Sequence, residues 1–312
     1  MSDSEDSVVE SSTEQGEEVE AEVALADDED ESLSSGQFLR SPDLLTPNEA
    51  SALAATGESR LVVWVGEEES GKTTLSAELY ERHRDGRAST KFAGSHTLLG
   101  FEERIHPARA ESNRIRRMTK RTVADPDERE ILHLAVSSRD EVIHLLISDI
   151  PGELFRQMRD HELSVDDMPL LRHAEKLVVL VDGAWIADPG RRPSANLFAR
   201  QLIAELANGG LPAETMDVAL MLTKLDEVMT AGAEALGYWE KLEEELLSAM
   251  ATISPDARAF RTAAEGIDGG DDGMKELMDW LLAPPPEPEE STASASDLPS
   301  ARMMRLRQAG TS

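Results

Sequence analysis

Residues 66–73 read Gly66-Glu67-Glu68-Glu69-Ser70-Gly71-Lys72-Thr73, the pattern Gly-x-x-x-x-Gly-Lys-Thr. Glycines at the two ends let a backbone wrap closely round a phosphate. Successive N–H groups, and the N-terminus of a helix that follows, then face its oxygens. In such a loop Lys72 reaches the outer phosphates of a nucleotide, and the Thr73 hydroxyl ligates Mg²⁺. Three consecutive glutamates are awkward in a loop that must hold a polyanion. Their carboxylates are expected to face solvent while their N–H groups turn inward.

Two further groups of residues carry chemistry. The apolar run Val142–Ile147 leads into Ser148-Asp149-Ile150-Pro151-Gly152-Glu153. An acid at a strand end beside a phosphate loop can hold water on Mg²⁺, and a glycine three residues on can give its N–H to a γ-phosphate. Leu220–Leu222 leads into Thr223-Lys224-Leu225-Asp226. The Asp226 carboxylate can accept two hydrogen bonds from guanine N1 and N2. Adenine would leave that carboxylate poorly paired, at real cost. The Lys224 stem can lie over the base. After a possible last strand, Arg261-Thr262-Ala263-Ala264 forms a small-residue turn in which the Ala263 N–H can meet guanine O6.

These residues need a frame that brings distant segments to one edge. Leu61–Val65, Leu177–Val181 and Val218–Leu222 are continuous apolar runs, which suits strands buried on both faces of a parallel sheet. Ile131–Val136 and Val142–Ile147 flank a polar turn and read as a hairpin. Helical segments fall between the strands: about Lys72–His83, a helix capped by Ser194 and ended by Gly209-Gly210, one with Leu236, Trp239, Leu242, Leu246 and Met250 on a single face, and a closing helix through Met274, Leu277, Met278 and Leu281. Thr46-Pro47-Asn48-Glu49 is a capping box with proline in the first turn, and Gly57 ends that short helix. The expected architecture is α/β, a mainly parallel sheet with one antiparallel edge strand and helices on both faces.

Charge divides the chain further. The 312 residues carry a formal net charge of −31, and residues 1–36 hold 14 acids without one Lys or Arg. Such a segment cannot offset its ordering entropy, so 1–45 is expected to be largely disordered. A Pro/Ser-rich tail, 283–312, is expected to behave likewise. The body is then 46–282. Acidity and 4% aromatics argue against a nucleic-acid partner. With no cysteine, no basic leader and no apolar run of membrane-spanning length, a cytoplasmic protein is expected.

The three motifs in this order resemble the Ras-like P-loop GTPases, over nearly all of 61–282. The resemblance implies the Ras-like P-loop NTPase fold, GTP and GDP as ligands, Mg²⁺ as cofactor and nucleotide-controlled switch loops. More narrowly, Ser-Gly-Lys-Thr-Thr-Leu at 70–75, the stretch 92–102, Leu132-His133-Leu134 and Asp149–Glu153 resemble the bacterial double-GTPase proteins. That implies a bacterial, intracellular protein working beside a GTPase-like partner. On the family pattern the nucleotide falls to Gly66, Ser70, Gly71, Lys72, Thr73, Thr74, Thr223, Lys224, Asp226 and Ala263. The metal falls to Thr73, Asp149 and a first-switch threonine, here Thr97 with Thr90 as rival. Catalysis falls to Lys72, Gly152 and Glu153.

The chain departs from the pattern at Glu153, where many relatives carry glutamine to position the attacking water. A carboxylate can orient water but repels the charge that spreads over a γ-phosphoryl group, so slow hydrolysis is expected. The first switch region, about 85–130, is long and basic: Arg104, Arg109, Arg114, Arg116, Arg117, Lys120 and Arg121 all lie in it. One arginine there could serve as a finger in cis; otherwise the stretch is a solvated basic loop. The seven histidines show no paired metal-ligand spacing. The alternatives to a GTP switch are a P-loop kinase or ATPase, which would have no use for Thr223–Asp226, and a nucleotide-binding interaction module without turnover.

Overall fold

A computed structural model describes residues 44–110, 131–138, 141–211, 216–263 and 273–285. The acidic 1–43 stretch, the arginine-rich 111–130 stretch, the hairpin tip and the tail beyond 285 lie outside the described residues.

Seven strands form one sheet among the described residues: β1 (Glu58–Val65), β2 (Lys91–Gly94), β3 (Ile131–Ser138), β4 (Glu141–Ser148), β5 (Lys176–Asp182), β6 (Asp217–Thr223) and β7 (Arg258–Arg261). The order is β2-β3-β4-β1-β5-β6-β7. β4, β1, β5, β6 and β7 are mutually parallel, while β3 runs antiparallel to β4 and β2 antiparallel to β3. Helices intervene in chain order: α1 (Pro47–Ala54), α2 (Lys72–Arg84), α3 (Leu98–Ala110), α4 (Gly152–Arg159), α5 (Pro169–His173), α6 (Gly183–Ala187), α7 (Arg192–Asn208), α8 (Leu225–Ala231), α9 (Ala233–Met250) and α10 (Met274–Leu282).

The period-2 pleat splits the core in two. Leu61, Val63 and Val65 of β1 pack with Phe198 and Leu202 of α7 and Trp239 of α9. Val62 and Trp64 face the other way, toward Leu75 and Leu79 of α2, Phe101 and Ile105 of α3, and Leu281 of α10. Both layers are apolar, which is why the central strands read as unbroken hydrophobic runs. Buried in the second layer, the Trp64 indole N–H donates to Ser76 Oγ at 2.9 Å, so its polar edge is satisfied.

The expected α/β sheet is present with its antiparallel edge. The capping box at α1 forms as read: the Thr46 N–H donates to Glu49 Oε2 at 2.8 Å and the Glu49 N–H to Thr46 Oγ1 at 3.3 Å. Two details differ. Ser194 does not cap α7, which starts at Arg192 with Pro193 in its first turn, where the missing N–H costs nothing. The stretch after α2 is not a plain loop, because it contains β2 and α3. β2 is short and mostly exposed, with no alternation to betray it. Among the described side chains of α3, Phe101 and Ile105 are the buried large apolar ones, with Phe101 stacked on Tyr80 at 4.8 Å between ring centroids.

Chain order reverses direction across the sheet at β1, whose neighbours are β4 and β5. In open α/β sheets ligands bind beyond the carboxyl ends of the strands at such a point. Residues 66–73, 149–153, 182–183, 223–226 and 261–263 all leave strands at that edge.

Candidate functional site

The loop from β1 to α2 turns tightly. A Cβ on Gly66 would lie 2.7 Å from Ser70 Oγ and 3.2 Å from the Leu180 carbonyl oxygen, so a side chain there would crowd the turn and force Ser70 to move. Gly71 has φ +94° and Glu69 φ +62°, a left-handed conformation that costs a non-glycine residue about 1 kcal/mol or more. Lys72 is buried, and its Nζ donates to the carbonyls of Gly66 at 2.9 Å and Glu67 at 2.7 Å. Burial pushes the ammonium down to about 8, against the opposing pull of Asp149, Glu153, Glu67 and Glu68. Ser70 Oγ is buried with no hydrogen-bond partner among the described residues.

Asp149, buried at the end of β4, accepts a hydrogen bond from Thr73 Oγ1 at 3.0 Å. A carboxylate and a hydroxyl at one buried point are hard oxygen donors, suited to Mg²⁺, which takes one or two protein oxygens and fills its octahedron with phosphate and water. Gly152 opens α4 against the phosphate loop: a Cβ there would lie 2.2 Å from the Glu68 nitrogen. Glu153 follows, half-buried and within electrostatic reach of Lys72.

The second loop pair joins directly to the first. Thr223 Oγ1 donates to the Ser70 carbonyl at 2.8 Å, and Lys224 Nζ donates to the Glu69 carbonyl at 2.8 Å and to Asp182 Oδ2 at 2.9 Å. Lys224 sits at φ +49°, which turns the chain from β6 into α8 and puts Asp226 in that helix's first turn. The Thr262 N–H donates to the Leu222 carbonyl and the Leu225 N–H to the Thr262 carbonyl, at 2.8 and 3.0 Å, so buried Ala263 lies beside the same turn. Thr74 follows Thr73 in the first turn of α2.

The two first-switch threonines named from the pattern have other partners in this structure. Thr97 is fully buried, and its Oγ1 accepts the His133 N–H at 2.8 Å. Thr90 Oγ1 lies 2.9 Å from His83 Nε2. The phosphate-loop carboxylates also differ from expectation. Glu67 and Glu68 do not simply face solvent: Arg156 of α4 reaches them at 3.6 and 3.1 Å. Glu67 is partly desolvated, which raises its carboxyl despite Arg156 and its neighbours.

Sequence reasoning missed three contributors. Asp182 and Gly183 close the end of β5: Asp182 caps α6 through the Ala184 N–H at 2.9 Å, and a Cβ on Gly183 would lie 2.3 Å from the Thr223 carbonyl oxygen. An Asp-Gly pair at the carboxyl end of a buried strand was the available signal. Arg156 gave none, because its partner Glu68 lies 88 residues away. The histidines at 96, 133 and 144 adjoin one another, with His133 Nε2 2.9 Å from His144 Nδ1. Burial beside the other two pushes His133 down to about 3. Among the described residues no cluster of three or more His, Asp or Glu side chains could hold a metal ion.

A seven-stranded, mostly parallel sheet with Gly-x₄-Gly-Lys-Thr at its switch point, and Thr-Lys-x-Asp beside it, has the form of a P-loop GTPase domain. The chain belongs to the Double-GTPase 2 family, whose model matches residues 60–281. Comparison with curated proteins gives no match. Membership supports binding of a guanine nucleotide. Among the described residues no helix is long and apolar enough to cross a membrane.

Proposed function

We propose that the protein is a GTP-binding switch that hydrolyses GTP slowly with Mg²⁺. The observation that carries this is the pair of hydrogen bonds from Thr223 and Lys224 to the Ser70 and Glu69 carbonyls. They tie the base-reading loop to the phosphate loop, so one nucleotide can engage both. Lys72, on leaving its loop carbonyls, neutralises the outer phosphates. Thr73 and Asp149 hold the cation, which supplies charge neutralisation when bound. The Gly152 N–H meets the γ-phosphate, and Glu153 stands where water must be aimed. Asp226 selects guanine, with the Ala263 N–H on O6. Family membership supports the guanine ligand and favours a GTPase over a kinase or ATPase.

Glu153 in place of glutamine favours a second reading, a nucleotide-binding module with negligible turnover. The double-GTPase description supports a GTPase-like partner, and the absence of cysteine is compatible with a cytoplasmic location. Titration with fluorescent GDP, GTP and ATP, with and without Mg²⁺, tests the proposal. Asp226→Asn is expected to weaken GTP about tenfold or more and to favour xanthosine nucleotides, since a charged hydrogen-bond pair is at stake. Equal affinity of the parent chain for ATP and GTP would sink the guanine assignment. Single-turnover hydrolysis separates the slow enzyme from the inert module.

A further inference from the structure

Arg104 lies on α3, inside the long first switch region, yet its side chain is only 8% exposed. Its Nε donates to Asp149 Oδ2 at 3.2 Å. The same carboxylate accepts Thr73 Oγ1 at 3.0 Å through Oδ1. Arg104 Nη1 also donates to the Gly100 carbonyl at 3.2 Å, one turn back in its own helix. The guanidinium is thus fixed at both ends, to α3 and to the carboxylate that suits the cation. Asp149 carries one negative charge. It cannot neutralise a guanidinium and a divalent cation together, and in a buried site the two positive charges repel each other strongly.

We propose that Arg104 is an internal rival of Mg²⁺ for Asp149, so that binding of a cation–nucleotide complex displaces Arg104 and loosens α3. The inference rests on the nucleotide-binding reading of the site. It gives the first switch region its coupling to the nucleotide. With Arg104 on Asp149, α3 is clamped by Phe101 and Ile105 against the core and by the guanidinium against the site. When the cation takes Asp149, the second clamp is lost. Thr97 precedes α3, and its carbonyl accepts the Phe101 N–H at 3.1 Å. A shift of α3 would therefore also draw the Thr97 hydroxyl from the His133 N–H.

The test uses the full chain and fluorescent GDP. In Arg104→Gln the Mg²⁺ concentration for half-maximal GDP retention should fall about tenfold or more, the scale of one charge-assisted hydrogen bond. Arg104→Lys keeps the charge without the planar fork and should lie between. In the parent chain, amide hydrogen exchange over Leu98–Ala110 should rise when Mg²⁺ is added to the GDP-bound protein. Arg104→Gln should show the faster exchange already without Mg²⁺. An unchanged or higher Mg²⁺ midpoint in folded Arg104→Gln overturns the proposal, as does α3 exchange in the parent that ignores Mg²⁺. Should Arg104→Gln fail to fold, the parent's exchange decides. A parent chain that retains no GDP at any Mg²⁺ concentration refutes the nucleotide reading itself, an outcome distinct from normal binding with an indifferent Arg104.

Discussion

Raising the pH from 7.0 to 8.5 is expected to weaken nucleotide binding about fourfold, through Lys72 alone. The nucleotide-free protein holds this ammonium at about 8 instead of its ordinary 10.5, because burial outweighs the attraction of Asp149, Glu153, Glu67 and Glu68. If the phosphates require the charged form, Kd scales as one plus ten to the power of the pH minus 8. That factor is about 1.1 at pH 7.0 and about 4.2 at pH 8.5. Bound phosphate restores the charge, so binding must take up about half a proton at pH 8.0. The histidines at 83, 96, 133 and 144 are all held below their ordinary value by burial, so they stay neutral across this window. The effect on stability has the opposite sign. Between about 8 and 10.5 the unfolded chain binds more protons at Lys72 than the native protein, so this group's contribution to stability rises with pH there. Below about 8 both states are protonated, and the cost of burying the charge is fully present. Calorimetric titration with GDP in two buffers of different ionisation enthalpy measures the uptake directly. Lys72→Arg cannot deprotonate in this range and should flatten any affinity profile it retains. A parent profile that is flat from pH 7.0 to 8.5, with no proton uptake at 8.0, would refute the argument.

Gly152→Ala should drive a methyl into the Glu68 backbone and push α4 off the phosphate loop. A loss of about 1–3 kcal/mol is expected, read as a lower Tm, and an unchanged Tm would show that α4 yields freely. Arg156→Gln should weaken GTP binding by removing part of the positive charge that offsets Glu67 and Glu68, and adding Glu67→Gln and Glu68→Gln should restore it. A double-mutant cycle on Kd with no coupling would dismiss that role. Glu153→Gln keeps the shape of the side chain and removes its charge. Single-turnover hydrolysis should then quicken about tenfold or more, because unit charges near 4 Å interact by about 4 kcal/mol at an effective dielectric of ~20, and relief of about a third of that already lowers the barrier by about 1.4 kcal/mol. An identical rate with binding intact would take Glu153 out of the site.

The sequence determined what is local or periodic. Gly66, Gly71, Lys72 and Thr73 were legible because a phosphate loop needs fixed residue types at fixed spacing over eight positions. Asp149, Gly152 and Thr223–Asp226 were legible because each follows a short, mostly apolar run that suits a buried strand. Those runs also implied the parallel sheet, since unbroken apolar strands need cover on both faces. Tertiary structure alone decided which charges meet. Arg104 and Asp149 are 45 residues apart and Arg156 and Glu68 are 88 apart, and neither pairing has a sequence period or motif. It likewise decided that Thr97 faces His133 and that Glu67 and Glu68 lean on α4. Such pairings follow from where helices land on the sheet. A charged side chain in a folded protein takes whatever opposite charge that packing brings within reach, because leaving it buried and unpaired costs more than any local preference can return.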